Sequence, residues 1–463
     1  MKVAVIGGGI AGLSAACELA RSGIEFTLYE ASNRLGGIVE TVHRDGFVVE
    51  CGPDSWVTEK PWAREVAVEL GLEDEIIPSN DQMRKTYIVR GRELVAMPDG
   101  MRMMVPTQWE PVLSSPLFSE QARQAYLREP ERAEELKASA PETDESVASF
   151  VRRHFGDEVT DTVGAPLLAG VFGGDVNQLS VRAVMPAFVK MEREHGSLIA
   201  ALQKSFRGEG ASVFTTLRSG LQTLVDRMAA ALPESSVRLQ ERVTKVIKNG
   251  QKWQVFASLN SEFDAVILAT PADVTRLLLA PLDPVFDKLI AMDASSAIVV
   301  ALAFAPEIAK NMQIPRGFGF LVPQSHKADP SGTPQLLACT FVDQKFSHRT
   351  PAEAVLLRAF FGGESALRLL DSPEGEIVAL AHKQLSALLG GLPEPSFTIV
   401  RRWPRSLPQY AVGHLERMQR LEEHVRTLPG LHLIGNAYHG VGLPDLIRQG
   451  REAARQMPRF FRA

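Results

Sequence analysis

The chain has few cysteines, no long apolar runs and no excess of positive charge. Only Cys17, Cys51 and Cys339 occur in 463 residues, and their wide spacing excludes a disulfide framework or a cysteine metal site. No stretch reaches the roughly 18 consecutive apolar residues of a membrane-spanning helix. The net charge of −5 gives no basic surface for nucleic acid. We infer a reducing compartment and no nucleic-acid partner.

The remaining composition is that of an ordinary globular protein, with 45% apolar and 23% charged residues. The length allows about two or three domains with sizeable cores. The first apolar run, residues 3–6, is short and has no cleavage region, so we expect no signal peptide. We expect a cytoplasmic protein, with peripheral attachment to the inner face of the cell membrane as an open alternative.

The N-terminus carries a glycine-rich turn directly after a buried strand. Gly7, Gly9 and Gly12 form the pattern G-x-G-x-x-G, and the apolar residues 3–6 precede them. In such a turn the first glycine permits a tight bend and the second lets a pyrophosphate approach the backbone. The third lets the following helix pack on the strand. The pattern predicts a dinucleotide site.

A helix and an acidic residue complete this unit. The helix begins near Ile10 and Ala11, and its free N–H groups favour a phosphate. Glu30, followed by Ala31, ends the second strand at the distance expected for the acid that binds a ribose 2′-hydroxyl. Because an acid disfavours a 2′-phosphate, NADP is excluded, and NAD and FAD remain.

A second glycine pair follows the acid and favours FAD over NAD. Arg34, Gly36 and Gly37 allow close backbone approach to a second stretch of a long dinucleotide. This segment resembles the extended FAD fingerprint of the flavin amine-oxidase superfamily.

Changes of pattern along the chain predict an α/β fold with a discontinuous, Rossmann-like FAD-binding domain. A mixed-sheet substrate domain and a helical insertion interrupt it. The FAD-binding parts are residues 1–84, 207–281 and 428–463; the substrate parts are 85–98 and 282–427; the helical domain is 99–206.

The helical domain contains one apolar stretch and one charged stretch. The apolar, loop-rich residues 101–118 predict core packing, and the alternative is a lip that touches a membrane surface or admits an apolar substrate. The charged residues 128–145 predict a solvated helix or loop.

Five further segments resemble the FAD-dependent porphyrinogen oxidases that make haem precursors. They are residues 52–56, 167–180, 190–199, 402–414 and 433–445. The second and the last are the specific parts, because the wider superfamily shares the N-terminal fingerprint. Amine oxidases usually carry a different C-terminal pattern and an aromatic cage, and neither is evident here.

The resemblance implies further cofactor-binding residues. They are Gly52, Pro53, Val243, Thr270, Trp403, Gly435, Asn436, Gly440, Val441 and Gly442. The last five precede a helix whose N–H groups and dipole can stabilise negative charge on a reduced flavin.

The resemblance also implies a substrate site. Ala169 and Gly170 are small, which lets a flat macrocycle approach the backbone, although a simple helix end fits the same residues. Arg90 matches an arginine that anchors a propionate, and the alternative is a solvated hairpin arginine. Phe318, Phe320 and Leu321 are candidates for the apolar wall.

No nucleophile constellation, metal-ligand spacing or purposeful carboxylate pair occurs, so we assign no catalytic side chain and no metal. The resemblance implies that FAD takes hydride in three rounds from protoporphyrinogen IX and that molecular oxygen reoxidises it. Coproporphyrinogen III is the alternative substrate of the same fold. A flavin amine oxidase, a carotenoid desaturase and a flavoprotein without activity also remain open, and the sequence predicts no oligomeric state.

Overall fold

A five-stranded parallel sheet lies at the centre of the computed structural model, which describes residues 1–205, 212–323 and 332–457. Its strands, in spatial order, are Val237–Arg238, Glu25–Tyr29, Lys2–Ile6, Ala265–Leu268 and Leu431–Leu433. They come from three separate stretches of chain, which confirms the discontinuous α/β fold. The predicted domain boundary at 206/207 lies outside the described residues, and the other boundaries stay predictions.

Two long helices pack side by side against this sheet. Helix Ile10–Arg21 follows the first strand, and helix Leu443–Gln456 follows the last. Their backbones come close because Gly450 has no side chain, and a Cβ there would overlap the carbonyl oxygen of Ala11. Because both helices begin beyond the carboxyl ends of parallel strands, their N-termini lie at the same edge of the sheet.

The second large sheet is mixed and has seven strands. Its strands, in spatial order, are Phe397–Pro408, Ala294–Phe304, Val355–Gly362, Ala338–Phe341, Gly319–Leu321, Thr86–Arg90 and Glu93–Ala96. The last two strands pair antiparallel and form a hairpin around Gly91 and Arg92. Helix Glu374–Leu389 buries Ile377, Ala381 and Leu385 against one face.

Helices dominate residues 109–205. They are Trp109–Ser114, Glu120–Arg128, Ala133–Ala138, Val147–Val159, Ala165–Phe172, Val181–Val184, Pro186–His195 and Leu198–Ser205. The apolar side chains Met104, Val105, Val112, Leu117 and Phe118 are buried in their common core. Core packing is therefore the right interpretation of these five residues, and contact of the domain with a membrane stays a prediction. Among the described residues, no helix has the length and apolar character needed to cross a bilayer.

The charged run 128–145 is not solvated throughout. Glu129 is fully buried and accepts hydrogen bonds from the Ser197 hydroxyl and the Leu198 N–H. Its carboxylate also lies 2.9 Å from Nδ1 of His154, a contact that outweighs the cost of burying the acid. The expectation of a solvated segment is wrong at this residue.

Smaller elements connect these layers. The short strands are Thr41–Arg44, Phe47–Glu50, Trp56–Val57, Ile76–Pro78, Met101–Arg102, Val105–Pro106, Phe214–Leu217, Lys245–Asn249, Lys252–Phe256 and Ser261–Phe263. The remaining α-helices are Trp62–Glu69, Gln222–Ala230, Ala272–Leu279, Val285–Leu289, Pro306–Ala309, Val342–Lys345, Gly363–Leu369 and His414–Val425.

Candidate active site

The first glycine turn has the geometry that its sequence predicts. Gly7 has φ +107°, and its N–H donates to the Tyr29 carbonyl at 2.8 Å. A Cβ at Gly12 would overlap the Gly7 carbonyl oxygen, so this glycine lets the helix pack on the turn. A Cβ at Gly9 would meet only the Cα of Gly37, at 4.0 Å. The backbone at Gly9 therefore faces open space, as an approaching pyrophosphate requires.

The helix that follows offers unused donors to this space. Helix Ile10–Arg21 is capped by Gly9 without a side-chain hydrogen bond, and its first turn holds no acidic residue. The first N–H groups of a helix have no partner within the helix, so they remain available to an anion.

Glu30 lies beside the turn and is oriented by two backbone donors. Its carboxylate accepts the N–H of Gly8 and the N–H of Ser32, each at 2.7 Å. The segments that carry Thr270 and Val243 lie around the same turn. Ala269, next to Thr270, lies against Gly7. Glu241, two residues before Val243, donates its N–H to the Glu30 carbonyl at 2.9 Å. These neighbours fit a ribose that is held by an acid.

Replacing Glu30 with alanine should weaken FAD binding about 10- to 100-fold, because hydrogen bonds to a charged group contribute about 1.5–3 kcal/mol. Titration of the apoprotein with FAD, followed by flavin fluorescence, measures the dissociation constant. Glu25→Ala is the matched control, since Glu25 begins the same strand and is exposed. Equal affinity in Glu30→Ala and the wild type would contradict the ribose assignment.

The second glycine pair is joined to the first turn. The N–H of Gly36 donates to the Gly8 carbonyl at 2.8 Å, and Gly36 and Gly37 have φ +102° and +62°. Arg34 donates its guanidinium to three carbonyl groups of the loop 35–39. Arg34 therefore shapes this loop, and a direct contact with the cofactor stays a prediction.

Gly52 and Trp403, predicted from distant parts of the chain, meet at the next segment. A Cβ at Gly52 would overlap the Ile38 carbonyl oxygen. The indole N–H of Trp403 donates to the Cys51 carbonyl at 2.7 Å, and Arg358 donates to the Gly52 carbonyl. Side chains of the mixed sheet thus fix the peptide groups just before Pro53.

A buried ionic network, which the sequence did not predict, supports this segment. Glu50 is 2% exposed, lies 3.4 Å from Arg349 and accepts the Thr41 hydroxyl at 2.7 Å. Burial raises the pKa of Glu50. Charged residues inside apolar strands, such as Glu50 after residues 47–49, are the signal that could have revealed it.

Asp54 carries the same network across to the mixed sheet. Its carboxylate lies 2.9 Å from Lys345 and 3.2 Å from Arg358. Burial alone would raise the pKa of Asp54, but these two cations outweigh burial and hold the pKa well below its usual range. The carboxylate is therefore ionised and links this segment to the mixed sheet through Arg358.

The C-terminal loop places a second helix N-terminus near the first. Gly435 has φ +132°, and no atom lies within 4 Å of where its Cβ would be. Gly440 has φ +108°, and Gly442 caps helix Leu443–Gln456 without a side-chain hydrogen bond. The only acid of the first turn, Asp445, is paired with Lys60 at 2.6 Å. Free N–H groups and open space together fit the negatively charged part of a reduced flavin.

The predicted substrate segment faces the mixed sheet. Ala169 is buried in helix Ala165–Phe172, and a Cβ at Gly170 would lie 3.7 Å from Cδ2 of Leu321. Phe320, however, is fully buried on the opposite face of its strand, with its ring 6.2 Å from that of Phe341. Because side chains alternate along a strand, Leu321 and not Phe320 lies on the face toward Gly170, and the role of an apolar wall stays a prediction.

Arg90 lies on the face of the sheet that Leu321 shares. Leu321 pairs with Ile88 in register, and Arg90 is two residues further along that strand. The Arg90 side chain is exposed, and its guanidinium donates to the Pro116 carbonyl. An exposed guanidinium at this edge keeps the propionate role open.

Metal-ligating clusters and two of the cysteine thiols are natural candidates for chemistry by side chains. No group of three or more residues in the described parts of the chain could hold a metal ion. Burial raises the pKa of Cys51 to about 11 and that of Cys17 to about 12, so neither thiol is a nucleophile at neutral pH. Glycine turns, two helix N-termini without side-chain caps and an oriented acid define a dinucleotide-binding protein.

The chain belongs to the flavin-containing amine oxidoreductase family, whose model matches residues 10–458, and its cofactor is FAD. The curated proteins to which it is similar include porphyrinogen oxidases. It is 34% identical to a coproporphyrinogen III oxidase of Bacillus subtilis (strain 168), over 97% of this chain and 96% of the relative. It is 29% identical to a protoporphyrinogen oxidase of Bos taurus, over 98% and 97%.

Solved structures agree with this family. A crystal structure from Exiguobacterium sp. 255-15, provisionally named a protoporphyrinogen oxidase, superposes with a TM-score of 0.83, 29% identity and 98% coverage of both chains. A putrescine oxidase variant, 20% identical, superposes over 99% of both chains with a TM-score of 0.70 and shares the fold.

Proposed function

We propose that this protein oxidises a porphyrinogen to the porphyrin, removing six electrons, with molecular oxygen as the final acceptor. The observation that carries the proposal is the pair of small residues Ala169 and Gly170 in helix Ala165–Phe172, where a Cβ at Gly170 would lie 3.7 Å from Leu321 of the mixed sheet. Relatives that cover nearly the whole chain support the same reaction.

Coproporphyrinogen III is the substrate that we favour. The relatives named for it are 30–34% identical, whereas those named for protoporphyrinogen are 26–29% identical. Protoporphyrinogen IX, which carries two propionates instead of four, is the second candidate.

FAD, when bound, supplies the hydride acceptor, and the protein's task is to bind and orient the substrate. Gly170 lets a flat ring approach the backbone, and Leu321 provides an apolar wall. Burial lowers the pKa of His414 to about 4, and its Nε2–H donates to the Tyr438 carbonyl at 3.1 Å, which fits a structural role.

Anaerobic mixing of the holoenzyme with each porphyrinogen tests the proposal. Flavin absorbance should bleach while porphyrin fluorescence rises, faster with coproporphyrinogen III, and admitted oxygen should restore the absorbance with formation of hydrogen peroxide. A yellow protein that neither substrate bleaches would overturn the proposal. Faster bleaching by protoporphyrinogen IX would reverse the choice of substrate alone.

Replacing Arg90 with alanine should raise KM about tenfold and change kcat less than about twofold, since an anchoring ion pair contributes equally before and during the reaction. Steady-state kinetics measure both constants. Arg92→Ala is the control, because Arg92 lies in the exposed turn of the same hairpin. An unchanged KM would remove Arg90 from the site.

A further inference from the structure

Residues 406–414, here named the bridging segment, lie between the substrate side and the cofactor side of the site. They include the end of strand Phe397–Pro408 and the first residue of helix His414–Val425. One side of the segment contacts residues 172–180, and the other contacts the loop 435–440.

Tyr410 closes the cofactor loop through its hydroxyl. The hydroxyl donates to the Asn436 carbonyl at 2.7 Å and accepts the Gly440 N–H at 3.0 Å. The Asn436 side chain returns a bond to the Ser406 carbonyl at 2.9 Å. The loop before helix Leu443–Gln456 is thus fixed at both of its ends by the bridging segment.

Gln409 and the backbone of Tyr410 hold the substrate side. The Gln409 amide donates to the Phe172 carbonyl at 2.8 Å, where helix Ala165–Phe172 ends. The Ser180 N–H donates to the Tyr410 carbonyl at 2.7 Å. A Cβ at Gly174 would overlap the Gln409 carboxamide oxygen, so the two chains touch here.

The pair Tyr410 and His414 stays neutral and stacked. Their ring centroids are 3.9 Å apart with planes 10° from parallel. Tyr410 is 3% exposed, and burial raises its pKa. A neutral phenol can donate to one backbone group and accept from another at once, which a phenolate cannot do.

We propose that Tyr410 and Gln409 are positioning residues that set the cofactor loop 435–442 relative to the substrate segment 169–174. This inference rests on the proposed function, because it assumes that FAD and a porphyrinogen occupy these two sides. Tyr410 acts through Asn436 and Gly440, and Gln409 acts through Phe172. The two residues should therefore differ in what they change.

Tyr410→Phe tests the cofactor arm. We expect about three- to tenfold faster release of FAD and a changed visible spectrum, because each lost hydrogen bond weakens the loop. Tyr87→Phe is the matched control. The Tyr87 hydroxyl also donates to a carbonyl, that of Arg316, at 2.9 Å, and Tyr87 lies in strand Thr86–Arg90 of the mixed sheet. Release rates and spectra that equal those of the wild type would overturn this arm.

Gln409→Leu tests the substrate arm. We expect a several-fold higher KM for the porphyrinogen with an unchanged flavin spectrum and an unchanged rate of FAD release. Gln384→Leu is the control, because Gln384 also donates to a carbonyl, that of Pro334, behind the mixed sheet. An unchanged KM in Gln409→Leu, or an equal rise of KM in Gln409→Leu and Gln384→Leu, would overturn the role of Gln409.

The wild type separates this inference from the proposed function. Suppose that the wild type binds FAD and oxidises a porphyrinogen, and that Tyr410→Phe and Gln409→Leu match it in FAD release, spectrum and KM. Only the positioning roles then fail. If the wild type oxidises no porphyrinogen, the proposed function fails, and FAD release from Tyr410→Phe still tests the cofactor arm.

Discussion

Replacing Gly12 with alanine should give a colourless protein after purification. The added Cβ would overlap the Gly7 carbonyl oxygen and lie 3.0 Å from the Cβ of Ala269. Gly7 and Ala269 each directly follow a strand of the parallel sheet. The clashing atoms are therefore backbone and Cβ atoms, and no flexible side chain can move aside. Helix Ile10–Arg21 must then move away from the turn, and its N-terminal N–H groups lose their place at the pyrophosphate.

We expect FAD affinity to fall roughly 100-fold, which corresponds to about 3 kcal/mol, the upper end of the cost of overpacking. Absorbance of the purified protein near the flavin maximum and fluorescence titration of the apoprotein measure the loss. Gly375→Ala is the matched control, because a Cβ at this helical glycine meets no atom within 4 Å. A Gly12→Ala variant as yellow as this control would refute the assigned role of Gly12.

The N-terminal unit could be predicted in detail because all its parts are adjacent in sequence. Strand, turn, helix and acid follow within 30 residues, and each part has a local physical reason. The turn therefore has the predicted geometry at Gly7 and Gly12, and Glu30 lies beside it. The end of the chain shows the same locality, with strand Leu431–Leu433 and helix Leu443–Gln456.

What the sequence could not supply depends on pairings between distant segments. The sequence could not choose among Phe318, Phe320 and Leu321, because only the register with strand Thr86–Arg90 shows which face of strand Gly319–Leu321 meets Gly170. Glu129 reads as part of a charged surface run, and only the packing of three helices shows that it bonds Ser197 and Leu198. An acid at the end of an apolar strand, such as Glu50, can indicate a buried charge, but the sequence does not show that Arg349 is its partner.

That ion pair gives the second large prediction. Replacing Arg349 with methionine should lower the free energy of unfolding by about 3–5 kcal/mol, because it leaves the Glu50 carboxylate buried without its cation. Arg349 is itself 1% exposed and donates to the Thr216 hydroxyl at 2.8 Å, so the loss includes that bond. Urea unfolding followed by circular dichroism measures the change. Arg426→Met is the control, since Arg426 pairs with Glu422 on the surface.

The loss of unfolding free energy in Arg349→Met should depend on pH, and the direction of this dependence identifies Glu50 as the cause. Burial raises the pKa of Glu50, and Arg349 opposes that rise, so the pKa is higher still in Arg349→Met. A carboxyl with a raised folded-state pKa stabilises the fold below its unfolded pKa, and this stabilisation disappears as pH rises through the folded pKa. The variant should therefore be closer to the wild type at about pH 5 than at pH 8. Glu50→Gln in the same chain should restore part of the stability and remove this pH dependence, whereas a pH-independent loss would assign the effect to the Thr216 bond and packing instead.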